Sequence, residues 1–220
     1  IDFFTNVAHE IRTPLTLIKG PLENIILKKQ VDAETREDLN VMKQNTERLL
    51  NLTNQLLDFR KTESQGFRLN FAKCNITEVL KETHVRFTSL AKQKGLEFTL
   101  QVPEKDFYAH VNQEAFTKII SNLLNNGMKY AESYVHVMLE IPETDDDNLF
   151  RIRTVNDGVI IPDAMKEEIF KPFVRFNEQE DGKVTTGTGI GLALSRSLAE
   201  FHLGTLVMEA GEESNIFCLT

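Results

Sequence analysis

Residues 122–141 read Asn122-Leu123-Leu124-Asn125-Asn126-Gly127-Met128-Lys129-Tyr130-Ala131-Glu132-Ser133-Tyr134-Val135-His136-Val137-Met138-Leu139-Glu140-Ile141, and the period of the pattern changes midway. The first half closes a helix that runs from about Asn112 to Ala131. In the second half Val135, Val137, Leu139 and Ile141 alternate, which places every second side chain on one face of a strand. Asp145-Asp146-Asp147-Asn148 has the composition of a turn, and Phe150, Ile152 and Thr154 continue as the returning strand. A helix feeding an antiparallel strand pair predicts an α+β layered domain.

The same grammar extends outward. Asn75-Ile76-Thr77-Glu78 carries a cap residue with Glu three positions on, a helix start that runs to about Gly95. Leu96, Phe98, Leu100 and Val102 alternate as a strand. Downstream, a helix from about Ile190 to Phe201 is followed by Gly204 and two short strands. Residues 1–64 differ: Gly20 is their only glycine and Pro14 and Pro21 their only prolines. Apolar residues recur at Phe4, Val7, Ile11, Leu15, Ile18, Leu22 and Ile25, and again at Leu39, Met42, Leu49, Leu52, Leu56 and Phe59, with the polar stretch Lys28 to Glu37 between them. This predicts an antiparallel helical hairpin. One hairpin cannot hide both stripes, so a second copy is expected to complete a dimeric four-helix bundle. The domain division is placed at 1–65 and 66–220.

The 220 residues are 41% apolar, with 25 Lys+Arg against 33 Asp+Glu and a net charge of −8. An acidic chain without a basic block argues against nucleic-acid binding through phosphate contacts. No apolar run reaches the ~18–20 residues of a membrane span, so no membrane contact by this stretch is expected. The chain opens on Ile1 rather than Met and reads as an excised fragment, with room for a membrane segment upstream. Cys74 and Cys218 form no framework, which fits a reducing compartment.

His9 lies roughly 150° from the stripe formed by Phe4, Val7, Ile11, Leu15 and Leu22, at about 100° per helical residue. It is placed on the solvent face, with Thr13 one turn on and Glu10 beside it. An imidazole whose other nitrogen is held by a carboxylate can act as a nucleophile; an ordinary surface histidine is the alternative. Pro14 strains the turn next to it. Asn122, Asn126 and Lys129 fall on one helix face, where two amide oxygens and an ammonium could hold Mg²⁺ and phosphate. A plain polar helix face is the alternative there. Gly187-Thr188-Gly189-Ile190-Gly191-Leu192 is a glycine-rich turn opening a helix, a geometry suited to phosphate oxygens.

Phe4-Thr5-Asn6-Val7-Ala8-His9-Glu10-Ile11-Arg12-Thr13-Pro14-Leu15 resembles the phospho-acceptor motif of sensor histidine kinases, and Leu56-Leu57-Asp58-Phe59 resembles the end of that family's dimerisation hairpin. Asn122 to Tyr130 resembles the asparagine box of their GHKL-type ATP-binding domain, an α/β sandwich. That likeness implies Asn126 as the Mg²⁺ ligand, Asn122 near the phosphates, Lys129 as a phosphate contact and Tyr130 within the nucleotide site. Thr154 to Pro162 resembles the first glycine box through Gly158 and Pro162. There the family's adenine-reading Asp falls on Asn156 and its second glycine on Ile160, two departures that predict weaker nucleotide binding. Ile169-Phe170-Lys171-Pro172-Phe173 resembles the phenylalanine box, and Asn177 to Thr186 the lid. His202-Leu203-Gly204 also matches, whereas Ser214-Asn215-Ile216-Phe217 lacks the family's glycine.

The resemblance implies a protein-histidine kinase. ATP with Mg²⁺ would phosphorylate His9, Glu10 would act as base, and the phosphoryl group would pass to an aspartate of a response-regulator receiver domain. Thr13 would serve a phosphatase activity. The piece would be the cytoplasmic portion of a membrane-anchored sensor. Two further readings stand beside it: a degenerate kinase working as a dimeric phosphotransfer or docking scaffold, and another GHKL ATPase that makes no phosphohistidine.

Overall fold

The computed structural model describes residues 3–27, 32–63, 69–141, 149–176, 188–209, 211 and 213–220, and for residues 3–10, 14, 33 and 63 only the backbone. The chain divides into two compact units, Ile1–Phe67 and Arg68–Thr220.

The first unit is the hairpin of α1 (Phe3–Ile26) and α2 (Ala33–Glu63). The backbone of α1 stays helical through Pro14. α2 begins earlier than its apolar pattern suggests, because Asp32 caps it: the carboxylate accepts from Thr35 N at 2.8 Å and from the Thr35 hydroxyl at 2.7 Å. Residues 33–37 are therefore helix, not connection. Leu15 and Leu22 are buried on α1, and Leu39, Thr46, Thr53 and Leu57 on α2. The expected α2 stripe is corrected here, since Met42 and Leu49 point outward and two threonines take inward places. Those hydroxyls bond back to Met42 O at 2.8 Å and Leu49 O at 2.6 Å, so a small polar side chain enters the seam without an unsatisfied group.

In the second unit, β1 (Ala72–Asn75) pairs antiparallel with β3 (Tyr108–Val111), a ladder that the sequence pattern does not announce. α3 (Ile76–Lys94) is capped by Asn75, whose side chain accepts from Glu78 N, and ends on Gly95 at φ 71°. β2 (Glu97–Gln101) follows; α4 (Gln113–Tyr130) is capped by Asn112. β4 (Tyr134–Glu140) and β5 (Arg151–Asn156) form the expected antiparallel pair; their predicted turn at 145–148 lies outside the described residues. α5 (Gly191–Phe201), β6 (Leu206–Glu209) and β7 (Asn215–Leu219) complete the unit.

The five-stranded sheet runs β2-β4-β5-β7-β6, with β2 parallel to β4 and the other pairs antiparallel. The register sets whole rows across one face. Leu139, Ile152, Leu219 and Leu206 form one row, and Val137, Thr154, Phe217 and Met208 the next. This face meets the buried sides of α3, α4 and α5, including Leu80, Ile120, Leu124 and Leu194. The last row is Phe98, Val135, Asn156 and Asn215, so the apolar layer ends on two cross-strand asparagines.

Candidate functional site

The polar row marks one end of the sheet, and three elements converge around it. The first is the C-terminal half of α4. Asn122 donates through Nδ2 to Gly191 O at 3.3 Å and to the Ser195 hydroxyl at 3.1 Å, clipping α4 to the first turn of α5. Asn126, one turn on, is half-buried, and among the described residues its amide has no hydrogen-bond partner. Lys129 places Nζ 2.6 Å from the Tyr130 hydroxyl and over its ring.

The second element is the turn after β5. Asn156 is 3% exposed. Its Oδ1 accepts from Gly158 N at 3.3 Å and from Asn215 Nδ2 at 3.5 Å. Gly158 lies against the end of α4, where a Cβ would overlap the Tyr130 carbonyl oxygen. The Asp157 side chain turns the other way. It accepts from the backbone N–H groups of Glu132, Ser133 and Tyr134 and from the Ser133 hydroxyl. Burial pushes this carboxyl up, but the Ser133 hydroxyl and those N–H groups outweigh it and hold the pKa at about 2. Asp157 therefore ties the α4–β4 turn to β5 and offers no spare carboxylate at the Asn156 position.

The third element is the start of α5. Ile190 occupies its cap position with no side-chain cap bond among the described residues, and the first-turn N–H groups carry the positive end of the helix dipole. Gly189 adopts φ 70°, and a Cβ there would press on the Phe173 backbone, whose N–H donates to Gly189 O at 2.8 Å. Thr188 accepts from Ile190 N at 3.1 Å. Leu192 sits half-buried on the first turn.

The structure thus gathers Asn122, Asn126, Lys129, Tyr130, Asn156, Gly158, Thr188, Gly189, Ile190, Gly191 and Leu192 on these three adjoining elements. Gly187 and the segment Asn177 to Thr186 lie outside the described residues, as do the side chains of His9 and Glu10. The backbone of His9 and Glu10 is helical, and Thr13 is exposed one turn on. His202, matched by family likeness, is structural. Its Nε2 accepts from Asn112 N at 3.1 Å while Nδ1 donates to Leu198 O at 2.7 Å.

Sequence reasoning missed Asn215 as a site residue. Its Nδ2 donates to Gly158 O at 3.2 Å and Val159 O at 3.0 Å, and its Oδ1 accepts from Ile161 N at 3.0 Å. It binds the turn in which Ile160 replaces a glycine. The only signal for it in the sequence is a lone amide opening the apolar run Ile216 to Leu219.

Residues 1–65 match the model of the His Kinase A (phospho-acceptor) domain, and residues 111–219 that of the histidine kinase-, DNA gyrase B- and HSP90-like ATPases. A relative called histidine kinase P4, from Formosa agariphila, is 34% identical over 208 residues, covering 94% of this chain and 15% of its own length. The chain thus spans a small part of that relative. Full-length ShkA, solved in complex with AMPPNP, has the same fold at a TM-score of 0.80 and 21% identity, over 98% of this chain and 44% of its own. The histidine kinase ThkA, solved with the response regulator TrrA, has a TM-score of 0.66 at 24% identity, over 97% and 59%. Among the described residues no helix is long and apolar enough to cross a membrane.

Proposed function

The chain belongs to the sensor histidine kinases, and from that premise we propose that it transfers the γ-phosphoryl group of ATP to His9 and then to an aspartate of a response-regulator receiver domain. One observation carries this reading: a single chain joins a helix bearing the acceptor sequence Phe4 to Leu15 to a layered unit whose α4, β5 and α5 converge on a polar row. The imidazole nitrogen attacks the γ-phosphorus, the bond to the bridging oxygen breaks, and ADP leaves. Glu10 holds the other ring nitrogen and takes its proton.

Asn156 faces the purine, with Gly158 at its side. Lys129 and the glycine-rich segment Gly187-Thr188-Gly189-Ile190 with the first turn of α5, Gly191 and Leu192, neutralise phosphate charge. Such catalysis is chiefly positioning and electrostatics. Mg²⁺, when bound, supplies charge neutralisation between the phosphates. An amide oxygen would be a suitable protein ligand for it. The amide of Asn126, without a partner among the described residues, fits that role, Asn122 orients the α5 turn beside it, and Tyr130 steadies Lys129. Thr13 orients water for dephosphorylation of the docked regulator.

The hairpin pairs with a second copy, with residues 1–65 as the dimerisation and phosphotransfer domain and 66–220 as the catalytic domain. The piece is read as the cytoplasmic part of a membrane-anchored sensor. The solved ThkA–TrrA complex supports a receiver partner by analogy. Incubation with γ-labelled ATP and Mg²⁺ tests the reading: label should appear, be acid-labile and base-stable, and vanish in His9→Ala. Label at the wild-type level in that variant would overturn it. The scaffold alternative draws on Asn156 and Ile160, and absence of nucleotide binding would favour it.

A further inference from the structure

Asn156 stands where an aspartate is expected, and its two amide atoms are not equivalent. Gly158 N is a backbone donor, so the atom 3.3 Å from it is the oxygen. Asn215 reinforces that choice. Its nitrogen faces the carbonyls of Gly158 and Val159, which only accept, and its oxygen faces Ile161 N, which only donates. Three backbone groups thus fix Asn215 with Nδ2 turned toward Asn156 Oδ1, at 3.5 Å. The Asn156 oxygen is thus turned toward Gly158 N, with Asn215 Nδ2 a weaker, shared donor because its two protons already serve the carbonyls of Gly158 and Val159. The group left over is Nδ2, which has no partner among the described residues. Two residues back on the same face of β5, in the neighbouring row, the Thr154 hydroxyl is also buried without a partner among the described residues.

The consequence lies in the sign of the recognition. An aspartate bonded in the same way keeps a second oxygen, an acceptor, for the base. Asn156 instead presents a donor. Adenine carries an amino donor at position 6, which meets an N–H badly and leaves only N1 to accept. Guanine and hypoxanthine carry a carbonyl at position 6, which accepts it directly. We propose that this pocket reads purines with an amide N–H held in place by Asn215, and that it takes 6-oxopurine nucleotides on terms comparable with adenine nucleotides. The inference rests on the reading of Asn156 as the base-facing residue. Asn215 acts through Asn156 and is a positioning residue.

Calorimetric titration of the full 220-residue chain with ADP, GDP and IDP in Mg²⁺ tests this. IDP isolates the position-6 carbonyl because it lacks guanine's amino group. The wild type should bind IDP within about tenfold of ADP, since a reversed hydrogen bond is worth roughly one decade. Asn156→Asp should move the ADP-to-IDP ratio toward ADP by at least about tenfold. Asn215→Ala, which frees the amide to rotate, should move it the same way by less, with the circular dichroism of the fold retained. A wild type that binds ADP while rejecting both GDP and IDP by more than about a hundredfold overturns the proposal and leaves the nucleotide site standing. An unchanged ratio in a folded Asn156→Asp also overturns it. Binding of none of the three overturns the site reading itself.

Discussion

In the layered unit Ile76, Val135 and Ile152 retain 0% exposure, whereas Ile11, Ile18 and Ile25 of the hairpin keep 44%, 46% and 38%. The layered unit closes its own core: sheet rows meet α3, α4 and α5, and the layer ends on hydrogen-bonded amides. The hairpin closes only one of two seams. Leu15 and Leu22 meet Leu39, Thr46, Thr53 and Leu57 inside it, while the heptad-spaced isoleucines, with Met42 and Leu49 at 51% and 47%, face outward. Rows at heptad spacing on two neighbouring helices are what a second copy would cover. The threonines in the inner seam and the isoleucines on the outer face suggest that the outer contact supplies much of the hairpin's stability.

The largest effect that would sharpen this contrast is expected from Ile152→Ala. Its side chain has no exposure, so truncation should cost about 3 kcal/mol and lower the melting of the layered unit alone in calorimetry. A loss below about 1 kcal/mol would mean that the core is loosely packed. Next comes Ile18→Ala, at a position 46% exposed in the single hairpin. If a second copy covers the outer row, sedimentation should record a weaker dimer by about 2 kcal/mol, with no change in the layered unit. An unaltered association constant would break the comparison by removing the outer seam.

A smaller effect concerns Asp157, whose carboxyl sits at about 2 when folded. A depressed folded pKa contributes stability that is complete above the unfolded value near 3.9 and fades as pH falls to about 2. Allowing for solvent screening, about 1–2 kcal/mol should be lost from the layered unit across that window. The difference between wild type and Asp157→Asn should shrink over the same range in acid titrations followed by circular dichroism; a constant difference would place the coupling elsewhere. The smallest effect is expected from Asn75→Ala. The lost α3 cap should cost about 1 kcal/mol in urea unfolding, with the slope unchanged.

Most elements of the layered unit were legible because their signals are local. Asn75 and Asn112 announce helix starts, Gly95 a helix end, and the alternation around Val137 and Ile152 a strand pair. The β1–β3 ladder was not, because Ala72-Lys73-Cys74-Asn75 and Tyr108-Ala109-His110-Val111 are four-residue segments without alternation, and each is a strand only through the other. The start of α2 was hidden because residues 33–38 carry no apolar stripe, although Asp32 with Thr35 was a readable cap.

The candidate site divides in the same way. Sequence by itself determined which residue types line up on α4 and which glycines open α5. These depend on spacing along one element, where period and chemistry act within a turn or two. Tertiary structure alone decided that Asp157 is consumed by the 132–134 turn, that Asn215 ties down residues 158–161, and which atom of Asn156 is left over. The physical reason is that a polar side chain's function is set by the atoms it has not spent on its neighbours. For Asn156 one such neighbour, Asn215, lies 59 residues away across a strand register.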